Sequence, residues 1–545
     1  MAAHDRTKVL IAGGGVAALE AALALRKLAG DRVDVEFLAP DPHFWYQPLS
    51  VAEPFGLAEP IRLELDAVAH HIGASGVRTR LTGIDAWRHV AHTSTNVELE
   101  YDILLIACGT LPMPAIPGAV TFRGGVDSQA VSRVLGDLAT GEARSVAFAV
   151  PWGAVWSLPA YELALLTAAH LRGRGVGDGE VAVVTPEAEP LQVFGPPASA
   201  AIRRLLADAG VELRCSAYGR SHADGMLELV PGPHLAADRV VALPRLEGAP
   251  LDGIPQTLNG FIPVDAHGRV HGVADVYAAG DITSFPVKQG GIASQQADAA
   301  AEAIAASLGA DVEPAPFRPV LRGVLLTGRA PRYLRRELAG QPEHEPVAAL
   351  DALWWPPAKI VGRYLAPFLA DLTGAAAAPT LPAPEDGAVP VEVDLDEETT
   401  ARVLTSPVPH AIVRYAGPRV SEVMDASPVR AGSDESLGDV AARLLEHGAT
   451  AAVVEDGGRL VGIVTASDVV RASAARVGPE RLPVRLWMTA EPVVVPLSYP
   501  ASAAALLMSE AGVHHLPIVD DDRVVGMLDL EHVLARAAPA AHVAD

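Results

Sequence analysis

A glycine-rich turn near the N-terminus constrains the fold more than any other feature of this sequence. The residues GGGVAA at positions 13–18 separate an apolar run from an alanine-rich stretch, and a second apolar run ends at Phe37. This pattern predicts a βαβ unit and a parallel sheet. Gly13 permits the tight turn, Gly15 lets a pyrophosphate approach the backbone, and Ala18 lets helix and strand pack closely. The helix N-terminus faces the phosphate charge, so we expect a bound dinucleotide; a turn without a ligand is the alternative.

Size and charge narrow the class of protein. At 545 residues, the chain is too long for one domain of about 100–200 residues. Its net charge of -24 disfavours a nucleic-acid partner. The two cysteines fit a reducing compartment, and we find neither a signal peptide nor the roughly 20-residue apolar stretch that spans a bilayer. We expect a cytoplasmic protein that acts on small molecules.

Further apolar segments predict how the domains are connected. Residues 101–107 form a short strand, residues 145–185 form a second strand-helix-strand unit, and residues 276–279 form one more strand. This order predicts that the first domain is completed by a segment that follows the second domain. The expected boundaries are a first domain at 1–120 and 251–312, a second at 121–250, a cap or interface region at 313–373, a linker at 374–400 and a C-terminal module at 401–545.

The C-terminal module contains an internal repeat. Residues 420–424 (VSEVM) recur as residues 484–488 (VRLWM), and residues 460–464 (LVGIV) recur as residues 524–528 (VVGML). The period of about 60 residues predicts two copies of one small α/β unit.

Two more motifs, together with the glycine turn, carry a family resemblance. They are Cys108-Gly109 at the end of a strand and DVYAAGD at residues 275–281. The set resembles the FAD-dependent pyridine nucleotide oxidoreductases. The resemblance implies an α/β fold with two interleaved Rossmann-like domains, as in glutathione reductase, and a ribityl contact at Asp281. The implied FAD-binding residues are Gly13, Gly15, Ala18, Cys108, Gly109, Gly280 and Asp281.

Two segments are similar to those of a narrower group. Residues 44–49 (FWYQPL) and 286–291 (PVKQGG) resemble sulfide:quinone oxidoreductases, flavocytochrome sulfide dehydrogenases and type II NADH:quinone dehydrogenases. The resemblance implies that these segments lie along the flavin ring and that Gln47, Pro48 and Gln289 contact it. A cation beside a helix N-terminus would stabilise the negative charge of a reduced flavin. Lys288 is therefore our catalytic candidate; an ordinary surface lysine is the alternative.

One position departs from the family pattern. Where relatives usually have an acid for the adenosine ribose, this chain has Ala39, and Asp41 follows two residues later. We expect Asp41 to substitute for that acid.

The electron donor is not evident from the sequence. Residues 147–159, where an NADH site needs a second glycine turn, contain one glycine, two tryptophans and two prolines. Bulky rings and prolines remove the space and the amide donors that a pyrophosphate requires, so ordinary NAD(P)H binding is doubtful. No cysteine follows Cys215, which argues against sulfide oxidation through a redox disulfide. We interpret Cys108 and Cys215 as small buried residues.

The region before the linker combines aromatic and basic residues. Aromatic side chains cluster at 353–357 and 364–369, and arginines cluster at 318–336. This combination favours a quinone acceptor and fits the face of a peripheral membrane enzyme. A dimer interface or a packed C-terminal cap explains the same pattern, and a homodimer is our expectation.

The repeat resembles a pair of CBS modules, which bind adenosine nucleotides in clefts. Thr465 and Asp468 match the family's Thr-x-x-Asp element, whereas the second copy has Asp529 and His532 instead. The resemblance implies one site for AMP, ADP or ATP. A pair that only dimerises the chain is the alternative. His514 and His515 have no accompanying ligand cluster in the sequence, and we expect no metal site.

The sequence therefore predicts an FAD-dependent oxidoreductase. It would pass electrons from an unidentified donor to a quinone or similar acceptor, and adenosine nucleotide at the CBS pair would regulate it. The alternatives are a non-catalytic flavin and nucleotide sensor, and an NAD(P)H dehydrogenase with an atypical nucleotide site.

Overall fold

The computed structural model describes most of the chain outside the linker. The described residues are 6–58, 62–176, 179–338, 346–354, 358–372, 419–474, 483–490, 492–497, 499, 501, 504, 507, 508, 513–520 and 523–530. The predicted linker 374–400, residues 355–357 of the aromatic cluster and His532 lie outside them.

The first domain begins with the predicted βαβ unit. Its elements are β1 Thr7–Ala12, α1 Val16–Leu28, a 3-10 helix Gly30–Arg32, β2 Val33–Leu38, β3 His43–Trp45, a 3-10 helix Gln47–Phe55, β4 Arg62–Glu64, α2 Leu65–His71, β5 Ser75–Val77, β6 Leu81–Asp85, β7 Val90–Thr93, β8 Glu98–Glu100, β9 Ile103–Ile106, β10 Thr110–Met113 and β11 Val120–Thr121. Alternate residues of β1 enter different apolar clusters, with Val9 and Ile11 on one face and Leu10 on the other. The strand is apolar throughout because both faces of this parallel sheet are covered.

The second domain repeats this architecture. Its elements are a 3-10 helix Gly125–Asp127, α3 Ser128–Thr140, β12 Ser145–Ala149, α4 Leu158–Gly173, β13 Glu180–Val184, a 3-10 helix Gln192–Phe194, α5 Pro196–Ala209, β14 Val211–Arg214, β15 Tyr218–Ala223, β16 Met226–Val230, β17 Leu235–Ala236, β18 Arg239–Ala242 and β19 Arg245–Gly248. Parallel pairing gives the strand order β11-β18-β12-β13-β14.

The chain then returns to the first domain. The next elements are β20 Gln256–Thr257, β21 Val276–Ala278, α6 Gly290–Ser307, β22 Val320–Leu325, β23 Arg332–Glu337, β24 Val347–Ala349 and α7 Leu365–Leu372. Strand β21 completes the first sheet in the order β21-β9-β1-β2-β5, which confirms the predicted interleaving. Helices α1 and α6 pack through buried alanines, among them Ala21 and Ala297. Small side chains allow the two helix backbones to approach closely.

The C-terminal module forms two small sheets. Its elements are helices Val420–Val423, Leu437–His447 and Ala466–Ala474, a 3-10 helix Val484–Leu486, and strands β25 Val429–Gly432, β26 Ala451–Asp456, β27 Arg459–Thr465, β28 Thr489–Ala490, β29 Val493–Pro496, β30 His515–Asp520 and β31 Arg523–Asp529. The first sheet has the order β25-β26-β27-β28, and the second has the order β20-β29-β30-β31. The edge strand β20 of the second sheet therefore comes from the flavoprotein part of the chain.

The aromatic segment near residue 364 is packed rather than open. Leu365 and Leu369 of α7 are buried in the cluster that contains α1, and Tyr364 and Phe368 pack against the same cluster. This finding favours the packed cap over a membrane-facing surface for residues 364–369. No helix in the described part of the chain is both long and apolar enough to cross a bilayer.

The arginines at 318–336 are also mostly engaged. Arg336 donates hydrogen bonds to the carbonyl oxygens of Gln192 and Val193, and Arg335 pairs with Glu337 at 2.8 Å. Burial and the neighbouring Arg335 lower the pKa of Arg322 to about 10. Arg335 and Arg336 therefore brace the cap sheet, whereas Arg318 and Arg329 of the predicted basic island are exposed.

Candidate functional site

A cavity of about 450 Å³ opens where the two dinucleotide-type domains meet the cap. Its wall combines residues from separate parts of the chain, including Gln47, Pro48, Trp156, Glu162, Asp281, Lys288, Gln289, Lys359 and Ile360. Five of these nine, namely Gln47, Pro48, Asp281, Lys288 and Gln289, come from the segments that the sequence predicted to line the flavin ring or to contact the ribityl chain. The volume and the few polar groups in an otherwise apolar wall are typical of a cofactor site.

The glycine turn has the geometry that a pyrophosphate requires. A Cβ on Gly13 would clash with the carbonyl oxygen of Ala107, whereas a Cβ on Gly15 would meet no atom within 4 Å. Gly15 is the N-cap residue of α1, and no side chain caps that helix end. Ala18 is fully buried against the sheet. The first turn of α1 thus presents backbone amides to open space, which fits the diphosphate of FAD.

The residue predicted to contact the adenosine ribose lies beside a small depression. Ala39, Asp41, Leu65 and Arg78 line a small depression beside the glycine turn. Asp41 accepts a hydrogen bond from the backbone N–H of His43 at 2.9 Å and remains more than half exposed. Its place in this depression is compatible with a ribose contact, and that contact stays a prediction.

Cys108 and Gly109 lie where β9 ends. Gly109 has a φ of 69°, a backbone conformation that favours glycine. Burial raises the pKa of the Cys108 thiol to about 11, so the thiolate that acts as a nucleophile is scarce at neutral pH. Burial also raises the pKa of Cys215, which directly follows β14. Both thiols fit the predicted role of small packed residues.

Lys288 is a buried residue of the cavity wall. It is only 5% exposed, so the alternative of an ordinary surface lysine is wrong. Its Nζ donates hydrogen bonds to the carbonyl oxygens of Thr283 and Phe285, the latter at 2.7 Å, and lies 4.0 Å from the ring centre of Phe261. Burial raises the pKa of Asp281 to about 6, and the nearby Lys288 opposes that shift.

The residues next to Lys288 and Asp281 hold the start of α6 in place. Gly280 donates its N–H to Gln296 Oε1 at 2.8 Å. Gln289 is the N-cap residue of α6, because its Oε1 accepts the N–H of Ile292, and its Nε2 donates to the carbonyl oxygen of Arg322 at 2.9 Å. Gln289 therefore acts first as a brace between α6 and β22, although it also lines the cavity.

A buried ion pair in the cavity wall was missed by the sequence reasoning. Lys359 Nζ lies 2.6 and 2.8 Å from the two carboxylate oxygens of Glu162, and the side chains are 8% and 1% exposed. The N–H of Leu326 also donates to Glu162 Oε1 at 2.8 Å. Burial raises the pKa of Glu162, and the Lys359 ammonium opposes the rise. The two residues are almost 200 positions apart, and no local pattern links them.

The second domain lacks an open phosphate turn. Trp156 lines the cavity and packs on Phe194, with 5.8 Å between ring centres. Trp152 does not fill the turn as expected, because it is 69% exposed. A carboxylate does so instead: Glu187 accepts hydrogen bonds from Tyr161 and Thr185 at 2.7 and 2.9 Å and from Ser157, the N-cap residue of α4. Burial raises the pKa of Glu187, and the hydrogen bonds that it accepts oppose the rise. When ionised, this carboxyl near the start of α4 disfavours a nucleotide phosphate there.

The candidate nucleotide residues of the C-terminal module contact each other. Asp468 Oδ2 accepts hydrogen bonds from Thr465 N and Thr465 Oγ1, both at 2.7 Å, and Asp468 is 1% exposed. In the second repeat, Asp529 lies 3.3 Å from His515 Nε2. The two repeats thus differ as the sequence indicated, while nucleotide binding at Thr465 and Asp468 stays a prediction. In the described residues, no cluster of three or more His, Cys, Asp or Glu side chains could hold a metal ion.

Two interleaved dinucleotide-type domains around a cofactor-sized cavity define the class of two-domain flavin oxidoreductases. Residues 7–303, more than half of the chain, match the family described as pyridine nucleotide-disulphide oxidoreductase. The chain belongs to this family. Residues 420–475 and 484–538 each match the CBS domain, as the repeat and its resemblance predicted.

Solved structures share the fold at low sequence identity. The sulfide:quinone oxidoreductase of Aquifex aeolicus is 18% identical with a TM-score of 0.58, over 63% of this chain and 86% of that one. NDH2 of Plasmodium falciparum, solved with NADH, is 12% identical with a TM-score of 0.52, over 69% of this chain and 95% of that one. At such identities, the similarity establishes the fold alone.

Curated relatives match only short segments. The meiotically up-regulated gene 70 protein of Schizosaccharomyces pombe is 33% identical over 124 residues, which are 22% of this chain and 17% of that protein. L-aspartate semialdehyde sulfurtransferase of Methanocaldococcus jannaschii is 28% identical over 116 residues, which are 21% of this chain and 22% of that protein. The chain thus spans about a fifth of the length of these relatives.

Proposed function

We propose that this oxidoreductase uses FAD to pass electrons from a small-molecule donor to a quinone or similar acceptor. The observation that carries the proposal is the shared cavity, where Lys288 and the N-terminus of α6 meet the buried pair Glu162 and Lys359. A two-electron, two-proton reduction needs groups that stabilise negative charge and groups that donate protons. Lys288 and Lys359 could supply these two roles within one cavity.

The first domain would hold FAD along its whole length. The glycine turn at Gly13 and Gly15 would take the diphosphate, and Asp281 would accept hydrogen bonds from the ribityl chain. FAD supplies the electron-accepting and electron-donating ring. Lys288 would stabilise negative charge at the end of that ring, because a buried ammonium and a helix N-terminus act in a medium of low polarity.

Glu162 and Lys359 are suited to proton delivery within the same cavity. Lys359 Nζ carries protons within hydrogen-bond reach of Glu162, and burial raises the pKa of the carboxyl. A proton that leaves the Lys359 ammonium for a reduced acceptor leaves a neutral amine beside the Glu162 carboxylate, and a proton from solvent in the cavity would restore the ammonium. Such positioned acid-base groups typically contribute factors of about 10²–10⁴ to rate.

The geometry disfavours NAD(P)H as an ordinary donor. Glu187 and Trp156 occupy the region where the second dinucleotide fold would present its phosphate turn. An NAD(P)H dehydrogenase with an atypical site therefore ranks below a donor that reaches the cavity directly. A flavin and nucleotide sensor without catalysis is the remaining alternative, and the buried acid-base pair favours catalysis over it.

We also propose that AMP, ADP or ATP binds the CBS pair at the first repeat, near Thr465, and biases the activity. A homodimer and a cytoplasmic location stay predictions of the sequence. A peripheral membrane contact has less support, since residues 364–369 pack inward.

The test is an anaerobic titration of the purified protein followed by flavin absorbance. NADH, NADPH, sulfide and a reduced quinone are added in turn, and the reduced protein is then mixed with an oxidised quinone. Rapid bleaching by one donor and rapid recovery with quinone support the proposal. A yellow protein that no donor bleaches supports the sensor, and a colourless protein that takes up no FAD overturns the proposal.

A further inference from the structure

The second sheet of the C-terminal module is completed by a strand from the flavoprotein. Strand β20 pairs antiparallel with β29, with Gln256 opposite Val494 and Thr257 opposite Val493. Strand β29 in turn pairs with β30 of the second CBS repeat. Adding an edge strand fixes one element against another through backbone hydrogen bonds. The module is therefore docked on the segment around residue 256.

The next residue extends this contact into the space between the repeats. Leu258 is half-buried and packs against an apolar cluster drawn from both repeats, made of Ala451, Val453, Leu460, Ile463, Val524 and Met527. Thr465, the candidate nucleotide residue, lies two positions after Ile463 on β27. The register pairs Val453 with Ile463 and Ala451 with Thr465, so all four side chains share the face that Leu258 contacts.

The other end of the same segment reaches the cavity. Thr257 donates its N–H to the carbonyl oxygen of Phe261 at 2.7 Å and accepts the N–H of Phe261 on Oγ1 at 3.1 Å, which closes a tight turn. Phe261 is 5% exposed, and its ring lies 4.0 Å from Lys288 Nζ. Only two residues thus separate the CBS contact at Leu258 from the Phe261 ring that contacts the candidate catalytic lysine.

A second contact links this turn to the cavity wall. The N–H of Gly248, the last residue of β19, donates to the carbonyl oxygen of Asn259 at 2.6 Å. Gly248 and Gly260 pack so closely that a Cβ on either would collide with the backbone of the other. Leu246 of the same strand lines the cavity. A shift of residues 256–261 therefore cannot be absorbed locally.

We propose that residues 256–261 form a coupling turn that transmits the nucleotide state of the CBS pair to Lys288, with Phe261 as the positioning residue. The inference rests on the proposed nucleotide binding and deepens it by naming the route. Nucleotide near Thr465 changes the packing of the face that Leu258 contacts. The change moves the coupling turn, and Phe261 then alters the position of the Lys288 ammonium beside the flavin end of the cavity.

The experiment measures flavin reduction in the full-length FAD-loaded protein with and without saturating AMP, ADP or ATP. The variant Leu258→Ser removes the apolar contact at a half-buried position, and Leu445→Ser, at a position 84% exposed on the same module, is the matched control. We expect a nucleotide to change the rate of reduction by dithionite about fivefold or more in the native chain and in the control. In Leu258→Ser, the effect of nucleotide on the rate of flavin reduction should fall to less than about twofold. The nucleotide affinity of this variant, measured by calorimetry, should stay within about threefold of the native value.

Phe261→Leu tests whether the contact between the Phe261 ring and Lys288 transmits the nucleotide effect. This variant keeps the apolar turn but removes the aromatic face from the ammonium. We expect this variant to bind nucleotide and to match the native chain in hydrogen exchange at the amides of residues 493 and 494, but to lose the nucleotide-dependent change in flavin reduction. A merely structural role for Phe261 would leave that change intact.

The outcomes separate this inference from the proposed function. A nucleotide response that Leu258→Ser retains at native size overturns the coupling turn, as does nucleotide binding without any flavin response in the native chain. Absence of nucleotide binding overturns the proposed regulation and, with it, the coupling. A protein that binds nucleotide but no flavin overturns the proposed catalysis, and hydrogen exchange at residues 493 and 494 still decides whether the docking exists.

Discussion

At the residue scale, the pair Glu162 and Lys359 best distinguishes this cavity from a passive cofactor cleft. Two opposite charges that are almost fully buried bring a desolvation cost that their attraction offsets only when the geometry is good. Here both carboxylate oxygens lie within hydrogen-bond distance of Nζ, and a backbone N–H completes the set. A pair of this kind contributes little to stability relative to apolar residues, which agrees with the proposed role in proton transfer.

We predict that Lys359→Met lowers quinone turnover about 100-fold or more while FAD remains bound. The single variant also leaves Glu162 buried without its partner, which typically costs about 3–5 kcal/mol. The double variant Glu162→Gln with Lys359→Met should recover the melting temperature but not the turnover. Recovery of both in the double variant would show that the pair is structural only.

The position of Lys288 gives a second prediction at this scale. Lys288→Gln removes the ammonium that favours the reduced flavin, so the midpoint potential should fall by about 30 mV, which corresponds to about 1.4 kcal/mol for two electrons. The matched control is Lys27→Gln, at an exposed position of α1. Spectroelectrochemical titration of both variants measures the shift. An unchanged potential in Lys288→Gln would contradict the assigned role.

At the element scale, the C-terminal segment is held to the first domain by a buried carboxylate. Glu20 of α1 is fully buried and accepts the N–H groups of Tyr364 and Leu365, at the start of α7, each at 2.8 Å. Asp298 of α6 lies beside it, and burial together with the Glu20 charge raises the pKa of Asp298 to about 9. Glu302 and Arg363 face the same cluster and pair at 2.9 Å. This attachment carries Lys359 into the cavity.

The raised pKa of Asp298 predicts a pH dependence of stability. The folded chain keeps a proton on Asp298 up to about pH 9, whereas the unfolded chain releases it near the ordinary aspartate pKa of 3.8. Between these values the folded state binds the extra proton, so stability falls as pH rises. Asp298→Asn stays neutral and should melt several degrees above the native chain at pH 8, with little difference at pH 4. Equal melting temperatures of Asp298→Asn and the native chain at pH 8 would contradict a buried, protonated Asp298.

At the scale of the whole molecule, the chain has separate apolar cores joined by small contacts. The dinucleotide-type domains and the cap are organised around four clusters, whereas the CBS repeats have their own. The described contact between the two parts is the pairing of β20 with β29 and the packing of Leu258. Contacts of this size couple domains without merging their cores.

We therefore predict two calorimetric transitions for the full-length protein. Excess FAD should raise the transition temperature of the flavoprotein part, and an adenosine nucleotide should raise that of the CBS part. At a ligand concentration 100 times the dissociation constant, the free energy of unfolding of the part that binds it increases by about 2.7 kcal/mol. Thr465→Ala should abolish the second effect and leave the first unchanged. A single transition that both ligands raise together would mean that the parts unfold as one unit.

The sequence by itself determined the glycine turn, the interleaved domains and the repeat. Each depends on a local pattern. The glycine turn is encoded by the consecutive residues 13–18, and the strand at 276–278 is identified by its own apolar run. Only the tertiary structure decided the pairing of Glu162 with Lys359, the hydrogen bond from Tyr161 to Glu187, and the pairing of β20 with β29. These contacts join residues that are distant in sequence, or they depend on which way a side chain turns, and periodicity contains no information on either.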